Sequence, residues 1–167
     1  WFVWTSFAFA TYFIPSESMQ PSLEVDDRIV VSKWAYGYSR HSLPLGLGEI
    51  VPHSWNARLA WSAPARGDVV VIRDEDQGIN LIKRVTGIGG DVIEVRAGRL
   101  IINGEMAERD FQQQRRYRQH NGIPSVVRVS AYGETLPSGR DYTIYERSDT
   151  LPHDDFGPIT VPEGHIF

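Results

Sequence analysis

The sequence contains no cysteine, and this absence excludes several kinds of chemistry. Disulfide frameworks, zinc sites with cysteine ligands and thiol nucleophiles all depend on that residue. Histidine is also scarce, with five in the chain and none in the HExxH spacing of helical zinc sites. We therefore expect no bound metal, and no motif in the sequence indicates a cofactor.

Positive charge is sparse as well. The 167 residues carry a formal net charge of -4 at pH 7, whereas proteins that bind nucleic acids depend on clustered Lys and Arg. We therefore expect no nucleic-acid partner. The one basic cluster, at Arg115, Arg116 and Arg118, lies in a polar stretch and is interpreted as a solvated loop.

A long hydrophobic run is missing too, because a helix that spans a bilayer needs roughly 20 apolar residues. Residues 1–14 (WFVWTSFAFATYFI) are uncharged and rich in aromatic side chains, of which Trp and Tyr favour the membrane–water interface. We interpret this segment as the end of a membrane anchor or as an interfacial segment. The alternative is a buried strand or helix of a soluble core.

The pattern that is present predicts a mainly β fold. Short runs rich in Val and Ile alternate with Gly, Asp and Pro, and they are too short for helices. The segment AGR at 97–99 predicts a hairpin turn, and GGD at 89–91 predicts another tight connection. The predicted strands are residues 28–33, 68–73, 79–86, 92–96, 100–102, 126–131, 142–146 and 159–161.

Two stretches depart from this β pattern. Residues 33–66 contain aromatics, glycines and prolines with little periodicity, and we interpret them as a long excursion from the sheet. Residues 103–125 are polar, and the region 103–158 is interpreted as partly an insertion. The prediction is therefore one β domain over residues 15–167, with a polar insertion before its final strands.

Ser18 is a candidate nucleophile. It lies in PSESMQPSLE at 15–24, where Pro15 and Pro21 restrict the backbone and favour a fixed, extended loop. A serine hydroxyl is a weak nucleophile, and it requires a base that takes its proton. The alternative interpretation is a simple turn residue, which is the usual role of serine in such a loop.

Lys83 is a candidate base. Strand alternation places it on one face with Leu81 and Val85, while Ile82 and Arg84 point to the other face. Burial of a lysine disfavours the ammonium, and only the neutral amine accepts a proton. The alternative is an edge-strand lysine whose stem lies along apolar surface while its amine reaches water.

Three segments, taken in order, resemble the boxes of bacterial type I signal peptidases. IPSESMQPSL at 14–23 resembles the nucleophile box of that family, RGDVVVI at 66–72 its next strand, and LIKRVTGIGGDVI at 81–93 its lysine box. WAYGYSRHSLPLG at 34–46 resembles the alphaproteobacterial branch. The resemblance implies a signal-peptidase-type β fold that is preceded by the end of an N-terminal membrane anchor.

The same resemblance implies an activity. It points to a membrane-bound serine endopeptidase that removes N-terminal signal peptides from exported preproteins through an acyl-enzyme. The implied partners are signal peptides and membrane lipid, and no cofactor is needed. The implied location is the bacterial inner membrane, with the catalytic domain on the periplasmic face.

Site residues follow from the resemblance position by position. Ser18 matches the acylated nucleophile and Lys83 its general base, while the Ser16 hydroxyl and the Ser18 backbone N–H match the oxyanion hole. Arg84 and Asp91 also match the family pattern, and we interpret them as structural. The resemblance also implies pockets for the small side chains at positions −1 and −3 of a signal peptide. The residues implied to line these pockets have ordinary core packing as their alternative role: Ile14, Pro15, Leu23, Ile29, Val71, Leu81 and Ile82.

Some features depart from the family pattern. Glu17 stands where Gly is frequent, Leu81 where Tyr is frequent and Gly89 where Pro is usual. The family carries a further box after a stretch like VPEGHIF (161–167), so we expect a fragment of a longer enzyme or a degraded homologue. A conjugative-transfer peptidase with the same Ser/Lys chemistry and a noncatalytic peptide-binding β domain at the membrane surface are the alternative functions.

Overall fold

The computed structural model describes residues 8–37, 62–74, 76–119, 125–148 and 154–167. The elements named in these ranges are eleven β-strands, which confirms the predicted mainly β fold. Within the same ranges, no helix combines the length and the hydropathy needed to cross a membrane. Most of the predicted excursion at 33–66, and most of the segment 34–46, lies outside the described residues.

The chain divides into two compact units, of which the first comprises Trp1–Ile14 and Asp26–Pro64. Its described part is a hairpin of β1 (Phe9–Phe13) and β2 (Arg28–Ser32), paired antiparallel. Val and Ile dominate β2, as expected for a strand. One boundary between the units falls after Ile14, where the N-terminal segment was expected to end, and the membrane role of that segment stays a prediction.

The second unit comprises Pro15–Val25 and Ala65–Phe167. It begins with an antiparallel pair, β3 (Val69–Asp74) and β4 (Ile79–Arg84), as the two Val- and Ile-rich runs predict. The connection is local, because Asp74 Oδ1 accepts the backbone N–H groups of the two residues that follow at 76 and 77. Beyond β4, the N–H of Val85 donates to the carbonyl of Asp68 and lengthens the pair.

A four-stranded sheet follows, in the spatial order β11-β5-β6-β7. The predicted hairpin at 97–99 is confirmed, because Ala97 and Gly98 have φ values of 48° and 70°, as a type I′ turn requires. Asn103 and Gly104 form a second turn of the same kind, with φ values of 54° and 83°. The strands are β5 (Val92–Arg96), β6 (Arg99–Ile102), β7 (Glu105–Met106) and β11 (Phe156–Thr160).

A three-stranded antiparallel sheet, ordered β10-β9-β8, occupies much of the predicted polar insertion. Its strands are β8 (Glu108–Gln119), β9 (Ser125–Thr135) and β10 (Asp141–Glu146). The basic cluster lies on β8, so the interpretation of these arginines as a loop was wrong. Nine of the twelve residues of β8 are exposed, and a strand with this much exposure shows no apolar alternation in its sequence.

The core of the second unit lies between these sheets. Ile93, Ile102, Leu136 and Val161 are buried and form one cluster, with Tyr142 packed against it. Ile93 belongs to β5 and Ile102 to β6, while Leu136 and Val161 directly follow β9 and β11. The four-stranded sheet and the β9–β10 connection therefore share one hydrophobic core.

Candidate active site

The segment around Ser18 is a succession of turns rather than the extended loop that its prolines predicted. The N–H of Gln20 donates to the carbonyl of Glu17 at 3.1 Å, and the N–H of Leu23 donates to that of Met19 at 3.0 Å. The Met19 side chain is buried, whereas Ser18 is exposed. The neighbour thus anchors the turn while the candidate nucleophile stays accessible.

Ser16 lies beside Ser18. Their hydroxyl oxygens are 3.4 Å apart, and both side chains are exposed. This separation is long for a hydrogen bond between hydroxyls, whose usual distance is about 2.7–2.8 Å. The contact is therefore weak, and the Ser16 hydroxyl remains able to donate to another acceptor near Ser18.

Lys83 lies near the end of β4, directly across from Val70 on β3. Val70 is buried and Leu81, on the same face, is half-buried, so the apolar neighbours that the alternation predicted are present. The Lys83 side chain itself is exposed, and its amine makes no hydrogen bond or ion pair within the described residues. The burial that a lysine base requires is therefore not met among the described residues, where β4 pairs only with β3.

Arg84 connects the motif segment that contains Lys83 to the one that contains Ser18. One of its terminal nitrogens donates to Ser22 Oγ at 3.1 Å, and the other donates to the carbonyl of Gly67 at 2.8 Å. Burial lowers the pKa of this guanidinium from its ordinary value, and the nearby charge of Arg140 acts in the same direction. A single side chain, adjacent in sequence to Lys83, therefore fastens the serine-bearing turns to β4.

Tyr142 of β10 packs against the guanidinium of Arg84. The guanidinium carbon of Arg84 lies 4.7 Å from the centroid of the Tyr142 ring, within the range of a cation–π contact. The hydroxyl of Tyr142 donates to Glu134 Oε1, and burial together with this carboxylate raises the pKa of the phenol. The three-stranded sheet thus helps to hold Arg84 in place.

Glu134 and Arg109 form the ion pair behind Tyr142. Their closest atoms are 3.1 Å apart, and each side chain is 5% exposed. Arg109 also donates to the carbonyl of Gly98 at 2.8 Å. The carboxylate that orients Tyr142 is therefore held by a buried cation, and this cation is in turn held by the β5–β6 turn.

Asp91 links the second and third motif segments. Its carboxylate accepts Arg66 Nε at 2.7 Å, the N–H of Ile88 at 2.9 Å and Asn103 Nδ2 at 2.9 Å. A second Arg66 nitrogen contacts the other oxygen. These bonds, that of Arg66 foremost, hold the pKa of the buried carboxyl well below its usual range. Asp91 thereby rigidifies the chain that leaves β4.

The pocket residues predicted in the second unit divide between two faces. Val71 and Ile82 are direct cross-strand partners, so they lie together on one face of the β3–β4 pair. Leu81 lies on the opposite face, which it shares with Lys83. Near the serine, Pro15 is exposed and Leu23 is half-buried.

The remaining two predicted pocket residues belong to the first unit. Ile14 is buried and closes the β1–β2 hairpin, since its N–H donates to the carbonyl of Asp27 and its carbonyl accepts the N–H of Asp26. Ile29 is half-buried on β2, across from Tyr12. Their part in a pocket stays a prediction.

Sequence reasoning missed several residues that hold this arrangement together. Arg66 stands at the start of a recognised motif, so its position offered a signal. Ser22, Tyr142 and the Arg109–Glu134 pair offered none, because their partners are distant in sequence. In the described residues, no group of three or more His, Asp or Glu side chains is placed to hold a metal ion.

Comparison with known proteins agrees with the motif resemblance. Residues 1–167 match the family described as signal peptidase, peptidase S26. Signal peptidase I of Rickettsia akari (strain Hartford) is 32% identical over 161 residues, which cover 92% of this chain and 57% of that protein. Signal peptidase I of Rickettsia prowazekii (strain Madrid E) is also 32% identical over 161 residues, covering 92% and 58%.

A third relative extends the match. Signal peptidase I of Rickettsia felis is 30% identical over 184 residues, which cover 98% of this chain and 66% of that protein. The chain spans little more than half the length of most of these curated relatives.

Proposed function

Since the chain belongs to the signal peptidase family, peptidase S26, we propose that it contributes the catalytic Ser/Lys dyad of a bacterial signal peptidase. In this proposal the enzyme is a serine endopeptidase that removes N-terminal signal peptides from exported preproteins. The observation that carries the proposal is the hydrogen bond from Arg84 to Ser22 Oγ. It joins the turns that bear Ser18 to the strand that bears Lys83.

The reaction proceeds through an acyl-enzyme. The neutral amine of Lys83 takes the proton of the Ser18 hydroxyl as the oxygen attacks the carbonyl carbon of residue −1. The Ser18 N–H and the Ser16 hydroxyl stabilise the resulting oxyanion. As the C–N bond breaks, Lys83 gives its proton to the leaving amine. Water, deprotonated by Lys83, then attacks the ester, and the Ser18 oxygen recovers a proton as it leaves.

Substrate binding supplies the desolvation that the exposed Lys83 lacks. Among the described strands, β3 and β4 pair only with each other, so the pair offers an edge to an extended peptide. A peptide laid beside β4 covers the end of the Lys83 side chain and excludes water from its amine. The neutral form, which acts as the base, is then favoured in the complex.

Specificity for small residues follows from the same docking mode. Side chains two positions apart point to the same side of an extended peptide, so residues −1 and −3 face the enzyme together. Shallow apolar pockets exclude larger side chains by overlap. Of the strand residues implied to line them, Leu81 shares the face of Lys83, whereas Val71 and Ile82 lie on the other face of the β3–β4 pair. The A-x-A ending of signal peptides fits this requirement.

The membrane is the place where such substrates occur. The aromatic, uncharged segment 1–14 supports contact with lipid at the bilayer surface. We assign this segment to the end of an anchor and the catalytic domain to the periplasmic face of the inner membrane, in line with the family.

A noncatalytic peptide-binding domain is the second candidate. The observation that favours it is the exposure of Lys83, whose amine makes no hydrogen bond within the described residues. A peptide-binding module needs neither Ser18 nor Lys83, so the two candidates differ in what their removal does.

Cleavage by the full-length protein in detergent distinguishes them. The substrate is a peptide that contains an Ala-x-Ala site, and the variants are Ser18→Ala and Lys83→Ala. We expect cleavage after the second Ala, lost in both variants, and unchanged in the surface control Arg115→Ala. Full activity in either dyad variant rejects the mechanism, and peptide binding without cleavage by well-folded wild type establishes the second candidate.

A further inference from the structure

One face of the β8–β9 hairpin carries a concentration of positive charge. Arg116 on β8 and Arg128 on β9 are direct cross-strand partners, and Arg118 is paired with Val126 at the next position on the same face. All four side chains are exposed. Like charges placed directly opposite each other destabilise an antiparallel pair, so the arrangement has an electrostatic cost in the free protein.

The described residues do not neutralise these arginines. Within the described residues, Arg116, Arg118 and Arg128 make no hydrogen bond or ion pair. By contrast, Arg109 lies at the other end of β8 and has a buried partner in Glu134. The chain as a whole is acidic, with a net charge of -4, so acidic residues are plentiful elsewhere. Among the described residues no anion neutralises the three arginines, so an anion from outside the chain is the partner that we consider.

One acidic residue of the same sheet is already engaged by other groups. Glu146, at the end of β10, accepts the backbone N–H groups of Arg147 and Ser148. Its other oxygen lies 3.8 Å from Arg109. The carboxylate is therefore directed away from the three arginines.

Apolar side chains share this face with the arginines. Val126 is 65% exposed and Phe111 is 57% exposed. Phe111 is the cross-strand partner of Tyr132, and alternation along β9 places Tyr132 on the same face as Arg128. The rings of Phe111 and Tyr132 pack edge-to-face, with their centroids 5.7 Å apart. Val126 lies beside the arginines, and Phe111 lies four positions of β9 further along the same face. Arginines that share a face with exposed aromatic and aliphatic side chains are typical of surfaces that contact a bilayer, where cations meet phosphates and apolar groups enter the headgroup layer.

We propose that this basic face, defined as Arg116, Arg118, Arg128, Val126 and Phe111, binds the phosphate groups of anionic phospholipids. The charge complementarity argues for an anion, and the spread of the arginines over two strands favours an extended anionic surface over a single small ligand. The uncharged aromatic composition of segment 1–14 favours a bilayer surface independently of these arginines. The inference concerns docking and does not depend on the Ser/Lys chemistry.

Vesicle co-sedimentation of the full chain tests the proposal. One set of vesicles contains equal parts of phosphatidylglycerol and phosphatidylcholine, and the other contains phosphatidylcholine alone. We expect stronger binding to the anionic vesicles, with a difference that shrinks as salt rises. Segment 1–14 is expected to contribute to binding of both sets of vesicles, so the difference in binding between the sets measures the electrostatic contribution. Equal binding to both sets overturns the proposal.

Two triple variants locate the effect. Arg116→Gln/Arg118→Gln/Arg128→Gln should bind anionic vesicles at least about tenfold more weakly than wild type, since each basic residue near an anionic surface contributes severalfold. A matched variant removes the same charge at three other exposed arginines: Arg73→Gln, Arg96→Gln and Arg140→Gln. It should bind within about twofold of wild type. Equal losses in both variants mean that only net charge matters, and the proposal fails.

Competition separates lipid from other anions. Inorganic phosphate, added at the same ionic strength as a chloride control, should displace no more protein than chloride does. Polyglutamate serves as a probe for an acidic protein partner. If phosphate displaces the protein specifically, or if polyglutamate binds the basic face in preference to the vesicles, the assignment to phospholipid is overturned. Replacement of the three arginines by lysine should preserve vesicle binding.

Discussion

The guanidinium of Arg84 donates a hydrogen bond to Ser22 Oγ, 3.1 Å away, across 62 positions of sequence. Ser22 belongs to the turns that present Ser18, and Arg84 directly follows Lys83. The same guanidinium also holds the carbonyl of Gly67 before β3. The position of the serine relative to the strand of the lysine therefore depends on a planar group that forms two bonds at once.

Replacing this group by a single point charge should slow catalysis. A lysine keeps the charge but cannot form both bonds in the fixed geometry of a guanidinium. We expect Arg84→Lys to lower kcat about 100-fold with little change in KM, since a misplacement of about 1 Å costs roughly that much. Steady-state kinetics measure the split, with Arg73→Lys on β3 as the control. A wild-type kcat in Arg84→Lys would contradict this role.

The Ser22 hydroxyl should be coupled to Arg84 in the same measurement. Ser22→Ala removes only the acceptor, so we expect a smaller loss of kcat than for Arg84→Lys. In a double-mutant cycle the two losses should not add, because each removes the same bond. Strict additivity would mean that the contact does not contribute to positioning.

Ser16 should act on the transition state rather than on the fold. Removal of one oxyanion donor typically lowers kcat about 100- to 1,000-fold. We expect this loss for Ser16→Ala and substantial retention of activity for Ser16→Thr, which keeps the hydroxyl. Because Ser16 is exposed, the thermal unfolding midpoint of both variants should match wild type. A fully active Ser16→Ala would show that the Ser16 hydroxyl is not a donor in the oxyanion hole.

Asp91 should make stability depend on acid pH. Its pKa is held below the ordinary value of 3.8 by Arg66, so the folded carboxyl releases its proton more readily than the unfolded one. The resulting stabilisation is complete above that ordinary value and is lost as the pH falls through the lower folded pKa. Asp91→Asn should cost about 2 kcal/mol at neutral pH and flatten the decline below about pH 4. Denaturant unfolding at several pH values measures both effects, and an equally steep decline in the variant would assign it to other carboxyls.

Neutralising Glu134 should lower the free energy of unfolding more than removing the Tyr142 hydroxyl does. Glu134→Gln removes the closer of two carboxylates that contact the buried guanidinium of Arg109, since Glu146 lies 3.8 Å away. Breaking a buried ion pair typically costs about 3–5 kcal/mol, and we expect the lower end of this range. Tyr142→Phe keeps the ring beneath Arg84 and loses one hydrogen bond, so we expect about 1 kcal/mol. Urea unfolding of the two variants gives the comparison. A Glu134→Gln variant as stable as Tyr142→Phe would show that the ion pair does not contribute net stability.

Local features of the fold were predictable from sequence. The strands β3, β4 and β5 follow from short runs of Val and Ile, and the β5–β6 hairpin follows from the turn at 97–98, because these patterns act over a few residues. The Asn103–Gly104 turn carried an equally strong local signal that the prediction did not use. The strand β8 escaped prediction, because a strand exposed on both faces leaves no apolar alternation.

The sequence by itself determined the family, through the ordered motifs that contain Ser18 and Lys83, and with it the candidate chemistry. Only the tertiary structure decided how these motifs are held: by Arg84 on Ser22, by Tyr142 beneath Arg84 and by Arg66 on Asp91. It also placed the arginines of β8 opposite that of β9 and left Lys83 exposed. The physical reason is the same in each case, since contacts between distant segments depend on strand pairing and side-chain packing that no local pattern encodes.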